Sequence, residues 1–269
     1  MSADLVNQLR AISEEIRTWE ERGNSREILE LTERLQQAAT EVAGAWSGSC
    51  FGYHSRVYYE GFAVPPPGAH FSSEWGFYGV FQGTTGNWRE YQYEEVVRHI
   101  YHLAGDPDLT QARALSQKAR KAYEEAQAEV ASIISAFLSG QNDEFLTSLK
   151  HAVENIIVLT VFQGLKAQLP NGTFMSRDTL AISQGRQTAP HQEVIAEVVA
   201  IQSAFTACSE LGTLGSRAAA HVERLDVKHS GARAQGESVF IGHGRSLLWR
   251  ELKDFIRDRL HLPWGSAMK

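Results

Sequence analysis

Apolar residues spaced alternately by three and four positions set what this chain can become. Leu5, Leu9, Ile12, Ile16 and Trp19 step by four, three, four and three, which puts them on one stripe of an α-helix. Gly23-Asn24-Ser25 interrupts the pattern, and Ile28, Leu31, Leu35, Ala38 and Val42 resume it. Two amphipathic stripes joined by a short turn are expected to face each other as a helical hairpin. Its outer faces are acidic, with nine Asp or Glu against five Arg before Ala45. Packing of this hairpin on its own domain is expected ahead of self-association, because two short heptad runs fall short of a sustained coiled coil.

The same grammar returns from Glu94. A short helix is predicted to Leu103, then a long Ala-rich one opened by Asp106-Pro107 and closed by Gly140. Phe145, Leu149, Ala152, Ile156 and Leu159 share the stripe of the next helix, which Asn142 or Asp143 can cap and Pro170-Asn171-Gly172 ends. A loop to about Ala189 comes next. Pro190 opens a helix with Val194, Val198, Ile201, Phe205 and Cys208 on one face, and a separate helix from Ser216 to about Val227 is expected after the glycines at 212 and 215.

Residues 46–93 break the pattern. They hold 14 of the 26 aromatic residues, eight glycines and the triplet Pro65-Pro66-Pro67. Short strands are predicted at Arg56–Tyr59 and Trp75–Phe81, with a turn at Thr85-Gly86-Asn87. Such a segment is too apolar for a free linker, so its rings must be buried against something. Tyr53, His54, Arg56, His70 and Trp75, with Tyr58 and Glu74, form a candidate pocket for a small activating ligand, since aromatic walls with a few directed polar groups suit one. The competing expectation is a structural insert covering one end of the bundle.

Composition narrows the partners. Lys and Arg number 26 against 32 Asp and Glu, a net charge of −6, opposite to what phosphate neutralisation on a duplex requires. Nucleic acid is disfavoured as the main partner. Two cysteines, Cys50 and Cys208, make neither a disulfide scaffold nor a cysteine-built zinc site. The start MSADLVNQLR has no apolar signal core. The longest apolar run, Ile156 to Phe162, is far short of the roughly 20 residues that span a bilayer. The expectation is a cytoplasmic protein with no membrane partner.

After a Gly-, Ala- and Ser-rich connector the chain changes again. SVFIGHGRSLLWRELKDFIRDRLHLP reads as a strand, a tight glycine loop and an amphipathic helix. Val239-Phe240-Ile241 suits a strand buried on both faces. Gly242 and Gly244 let the backbone turn sharply, Ser246 caps the helix, and Leu248, Leu252, Phe255, Ile256 and Leu260 make its buried stripe. Ligands of open α/β sheets sit beyond the carboxyl ends of strands, and amides at a helix start attract phosphate. Arg245 adds a forked cation there, and His243 a donor to a ribose or phosphate oxygen. A glycine turn between strand and helix is also often only a turn.

VFIGHGRSLLWRELKDFIRDRLHLP resembles the opening of the TIR-like domain of bacterial predicted nucleotide-binding proteins, the family used by cyclic-nucleotide-triggered anti-phage effectors of the CBASS and Pycsar type. The resemblance covers about 25 residues. WSGSCFGYHSRVYYEG and PPPGAHFSSEWG resemble, more loosely, the regions that accompany this domain in some members. The resemblance implies a flavodoxin-like fold that binds NAD⁺ and cleaves its nicotinamide–ribose bond with a catalytic glutamate. By position, Gly242, His243, Gly244, Arg245 and Ser246 would form the first loop of the nucleotide pocket. No acidic residue comes after Asp258, no position matches the glutamate, and GSAMK departs from the pattern.

The expected fold is therefore mainly α: a helical sensing or assembly domain over residues 1–236 with the insert at 46–93, and the truncated βα start of a TIR-like domain over 237–269. The expected function is regulation and homo-oligomerisation of a TIR-type NAD⁺-hydrolysing defence effector. NAD⁺ is the substrate of the parent, this chain lacks the catalytic part and holds no cofactor, and a cyclic nucleotide or phage-derived molecule is the activator. The alternative is that the parent NAD⁺ hydrolase activity itself defines the protein. A HEPN-like nuclease would need an Arg and a His four to six residues apart, whereas Arg98–His102 and Arg217–His221 have three between them. His99 and His102 find no third metal ligand. GHGRS has glycine where a nucleophile elbow has serine, and Cys50 would act as nucleophile only if His54 or His70 folds back onto it.

Overall fold

The computed structural model describes residues 2–72, 83–140, 142–170, 172, 176–236, 239–242, 251–252, 254–255, 259 and 264–267. Among them lie eight α-helices: α1 (Ser2–Gly23), α2 (Arg26–Ala43), α3 (Tyr93–Leu103), α4 (Thr110–Leu138), α5 (Glu144–Glu154), α6 (Val161–Gln168), α7 (Thr179–Gln184) and α8 (Pro190–Gly236). Strands β1 (Val57–Tyr59) and β2 (Trp88–Glu90) pair antiparallel, with Tyr58 opposite Arg89. Strands β3 (Val239–Gly242) and β4 (Trp264–Ala267) pair parallel, with Phe240 opposite Gly265. The architecture is mainly helical, as the spacing predicts.

Helix α8 is the axis. It is 47 residues long, about 70 Å at 1.5 Å per residue. The predicted division at the glycines is absent, and one helix runs through both. The glycines are there for a neighbour. A Cβ added at Gly212 would lie 2.7 Å from Arg17 Cγ and 2.9 Å from the Ser13 carbonyl oxygen, and one at Gly215 would lie 2.4 Å from Ser13 Oγ. Losing the Cβ costs helix propensity but brings the α1 and α8 backbones together.

That length also explains why the first two helices do not face each other as predicted. α1 and α2 lie in succession along α8, running opposite to it. Arg10 pairs with Glu223, the Phe205 ring covers Gly23, and Gln202 donates to Thr32 Oγ1. The two stripes are buried as read, with Leu9, Ile16, Ile28, Leu35 and Val42 in the core, but their common partner is α8. Packing on the chain's own domain, the expected arrangement, is what occurs.

Two further boundaries differ from expectation. α4 starts at Thr110, because Gly105 (φ +81°) and Asp106 (φ +49°) are committed to the left-handed turn that ends α3. The first free amide is met instead by Asp108, whose side chain accepts from Thr110 N–H at 2.9 Å. The single helix predicted up to Pro170 is two: it stops at Glu154 and restarts at Val161. Between them the backbone is served by side chains of α4. Gln127 donates to the Val153 carbonyl, Tyr123 to Ile156, and Arg120 to Val158 and Leu159. Thr160 then opens α6 with a capping box to Gln163. Asp143 caps α5 as predicted, accepting from Leu146 N–H at 2.8 Å.

Of the strands predicted in the insert, the first is β1; Trp75–Phe81 lies outside the described residues. β3 covers the predicted Val239–Ile241, and β4 is a strand the sequence did not suggest. The stretch Pro190–Asp226 is long and apolar enough by composition to cross a membrane; many of its apolar residues, Val198, Ala204, Cys208, Leu211 and Ala219 among them, are buried within the protein.

Gly212→Ala should lower the melting temperature. Overpacking costs about 1–3 kcal/mol, against a propensity gain of about 1 kcal/mol, and the obstructing Ser13 carbonyl is backbone. Gly140→Ala, where among the described residues an added Cβ meets nothing within 4 Å, should leave melting unchanged or slightly raised. Circular dichroism melts of both variants make the comparison.

Candidate functional site

Residues 46–59 of the insert are held at the N-terminal end of α8 by two layers of polar contacts. The inner layer is buried. Tyr58 is fully buried and its hydroxyl lies 2.8 Å from Nδ1 of His191, in the first turn of α8. Trp46 sets its ring edge-on to His191 at 5.2 Å and donates from Nε1 to the Ser55 carbonyl. Burial raises the Tyr58 phenol well above its usual range, so it keeps its proton and His191 Nδ1 is the acceptor. Burial pulls the His191 imidazole down to about 4, so the ring is neutral.

The outer layer joins the turn Ser47–His54 to α7 and the segment behind it. Gly52 N–H donates to the Gly185 carbonyl at 2.7 Å, Gln187 N–H to Cys50 at 2.8 Å, and Tyr53 N–H to Gln184 Oε1 at 2.7 Å. Gly52 has φ +45°, and a Cβ there would lie 2.4 Å from Gln184 Oε1, so glycine is needed for both conformation and approach. Ser47 Oγ donates to the His54 carbonyl and closes the turn.

This folding back brings three side chains into line. Ser49 Oγ is 3.0 Å from His54 Nδ1, and His54 Nε2 is 2.9 Å from Asp178 Oδ2. Tyr53 O–H donates to the same carboxylate oxygen at 2.6 Å. Asp178 Oδ1 accepts from Ala181 N–H at 3.0 Å and caps α7. A carboxylate only accepts, so Nε2 carries the imidazole proton and Nδ1 is left to accept from the Ser49 hydroxyl. His54 and Asp178 are almost wholly buried, their side chains 7% and 10% exposed, while Ser49 is half-buried. The Phe71 ring stands edge-on to His54 at 5.0 Å.

The predicted pocket residues are only partly brought together. Tyr53 and His54 converge on Asp178. Arg56 turns away to pair with Glu90 at 2.6 Å and to reach Gln187 Oε1 at 3.3 Å. His70 Nδ1 lies 2.8 Å from Thr85 Oγ1 across a two-residue bridge. Trp75 and Glu74 lie outside the described residues. The condition for a Cys50 nucleophile, His54 or His70 folding back onto it, is not met: His54 engages Ser49, His70 bonds Thr85, and Cys50 is a buried thiol. Ser49 and Asp178 were not singled out from the sequence. Asp178 is 124 residues from His54 and announces itself only as a helix-capping aspartate before Thr179-Leu180.

Of the predicted nucleotide loop, Gly242 ends β3; His243, Gly244, Arg245 and Ser246 lie outside the described residues. His99 stacks on Phe62 at 4.3 Å and His102 pairs with Asp106. Among the described residues no group of three His, Cys, Asp or Glu is placed to hold a metal ion. A second cleft, about 530 Å³, opens between α3, α4 and α8. There Arg113 Nε bonds Glu197 at 2.5 Å, and Tyr101 donates to the same carboxylate at 3.2 Å. Burial and then Glu197 push the Tyr101 phenol up to about 12. Arg113 and Glu197 of this cleft are thus engaged with each other.

No protein-family model, curated protein or solved structure matches the chain.

His191 gives this end of the molecule an acid sensitivity. The unfolded chain takes up a proton near pH 6.5 that the folded chain refuses until about pH 4. The contribution is full above pH 6.5 and falls as pH drops from there toward 4. Between pH 7 and 4.5 the wild type should lose about 2–3 kcal/mol more than His191→Gln, read from urea midpoints at the two pH values.

Proposed function

We propose that this chain is a sensing and assembly module of a bacterial TIR-type, NAD⁺-consuming defence effector, joined to the opening of its TIR-like domain. The observation that carries the reading is β3. Val239–Gly242 is extended, leads straight into GHGRS, and pairs parallel with Trp264–Ala267. Parallel neighbours need a crossover between them, and helical residues occur at 251–252 and 254–255 within it. A strand, a glycine turn, a helix and a parallel second strand in this order are how a flavodoxin-like domain begins. On this reading Gly242, His243, Gly244, Arg245 and Ser246 form the first loop of the nucleotide pocket, with Arg245 and the helix-start amides facing phosphate.

The helical part supports the regulatory half of the reading. It offers a single long axis with the aromatic insert at one end and β3 directly after the other. Sensing is assigned to the insert, where Tyr53 and His54 already converge on one carboxylate. The family's glutamate has no matching position in this sequence, so these 269 residues are assigned control of catalysis rather than NAD⁺ cleavage itself.

Three measurements test this. Incubated with NAD⁺, the chain should release no nicotinamide; turnover would overturn the division of labour. Multi-angle light scattering, with and without cyclic di- and trinucleotides, should show a dimer or larger assembly, and a strict monomer throughout would overturn the assembly role. A nucleotide-induced rise in melting temperature that Tyr53→Phe or Trp75→Ala removes would assign the trigger to the insert.

A further inference from the structure

The Ser49–His54–Asp178 line does more than fasten the insert. We propose that it is a hydrolytic relay that cleaves small carboxylic esters through a covalent acyl-Ser49. The geometry meets the requirements for an activated serine one by one. The nucleophile and base are in hydrogen-bond contact at 3.0 Å, and the base is held by a buried carboxylate at 2.9 Å. That carboxylate fixes the tautomer in which the nitrogen facing Ser49 is a bare acceptor. The ring is used in the opposite sense from the chymotrypsin-type triad, but the proton logic is the same. Exposure is graded as the chemistry needs: Ser49 is half-buried, while the base and its carboxylate are sheltered.

A fourth feature is independent of the line itself. Among the described residues the backbone N–H of Cys50 has no hydrogen-bond partner. The amide of the residue after the nucleophile is the one that commonly meets a developing oxyanion. On the other side of Ser49, Gly48 is exposed at φ +81°, and among the described residues nothing lies within 4 Å of an added Cβ there. The substrate class is set by these two neighbours. A small ester suits a half-buried serine followed by one amide without a partner.

The step balances. Ser49 Oγ bonds to the ester carbonyl carbon and its proton passes to His54 Nδ1. The bond from that carbon to the alkoxy oxygen breaks, and the departing alcohol takes the proton from His54. Water then attacks the acyl-Ser49, giving a proton to His54, which returns it to Ser49 as the acid leaves. The sum is ester plus water to acid plus alcohol. Ser49 and His54 are the catalytic residues. Asp178 acts through His54 and is a positioning residue, as is Tyr53 behind it.

A fluorophosphonate probe and p-nitrophenyl acetate test the proposal on the full chain. The probe should leave an adduct on Ser49 by peptide mass spectrometry, absent in Ser49→Ala and formed at least ten-fold more slowly in His54→Gln. Asp178→Asn, which retains an oxygen for the α7 cap, should lower kcat for p-nitrophenyl acetate at least ten-fold with KM within two-fold, a split that a purely structural role would not produce. An unmodified Ser49, or an adduct forming in His54→Gln at the wild-type rate, overturns the proposal. Should His54→Gln fail to fold, Ser49→Ala decides alone: it removes one hydrogen bond, and ester hydrolysis persisting in it refutes the relay.

Discussion

The fold depends on how closely α1 approaches α8. Gly212 and Gly215 let the Ser13 turn of α1 sit against the α8 backbone, and Ala204, Ala207, Ala218 and Ala219 continue a buried small-residue surface on the same helix. A 47-residue helix gains little from propensity over that length when it carries glycine, so its persistence rests on tertiary burial. Ser13 stays buried without penalty because its hydroxyl donates to the Leu9 carbonyl within its own helix. With α1 and α2 laid along one side and α4 and α6 along others, α8 has a partner over most of its course.

The break between α5 and α6 reaches the same end by other means. The run Ile156 to Thr160 gives up helical hydrogen bonds, and four side chains replace them. Arg120, Tyr123 and Gln127 of α4 donate to the freed carbonyls, and the Ser203 hydroxyl of α8 accepts from Leu159 N–H at 2.8 Å. Every buried side-chain polar atom among the described residues has a partner. An unmet one would cost about 1–3 kcal/mol, so these side chains determine where the helices stop as much as the apolar stripe determines where they run.

Helical periodicity was legible because it is local. The buried faces of α1, α2 and α8 fall where three- and four-residue spacing puts them, and Pro190 and Asp143 open helices for the backbone reasons that make proline and aspartate good starters. Interruptions were not legible. Glycine reads as a stop in isolation, yet at 212 and 215 it is an invitation to a helix more than 190 positions earlier in the chain. Asp106 reads as a cap for the next helix, yet its positive φ commits it to the end of α3. The candidate site divides the same way. Tyr53 and His54 stood out because rings and imidazole are conspicuous in a glycine-rich segment. Ser49 and Asp178 did not, since a serine among serines and a capping aspartate carry no mark of a shared hydrogen-bond line until the turn at Gly52 docks on α7.

One constraint links the two ends of the molecule. His191 and Tyr58 tie the insert to the first turn of α8, and β3 begins three residues after α8 ends. An event at the insert that is to be felt at β3 has one continuous element to travel along, about 70 Å of helix. Helices of that length do not transmit by compressing; they shift or rotate against a neighbour, and packed interfaces take discrete alternatives rather than a continuum. The glycine-lined contact with Ser13 is where such a shift would meet resistance, because a Cβ at 212 would already lie 2.9 Å from the Ser13 carbonyl oxygen, a backbone atom that cannot rotate away. The feature that makes α8 possible as an axis therefore also sets how stiff it is as a connection.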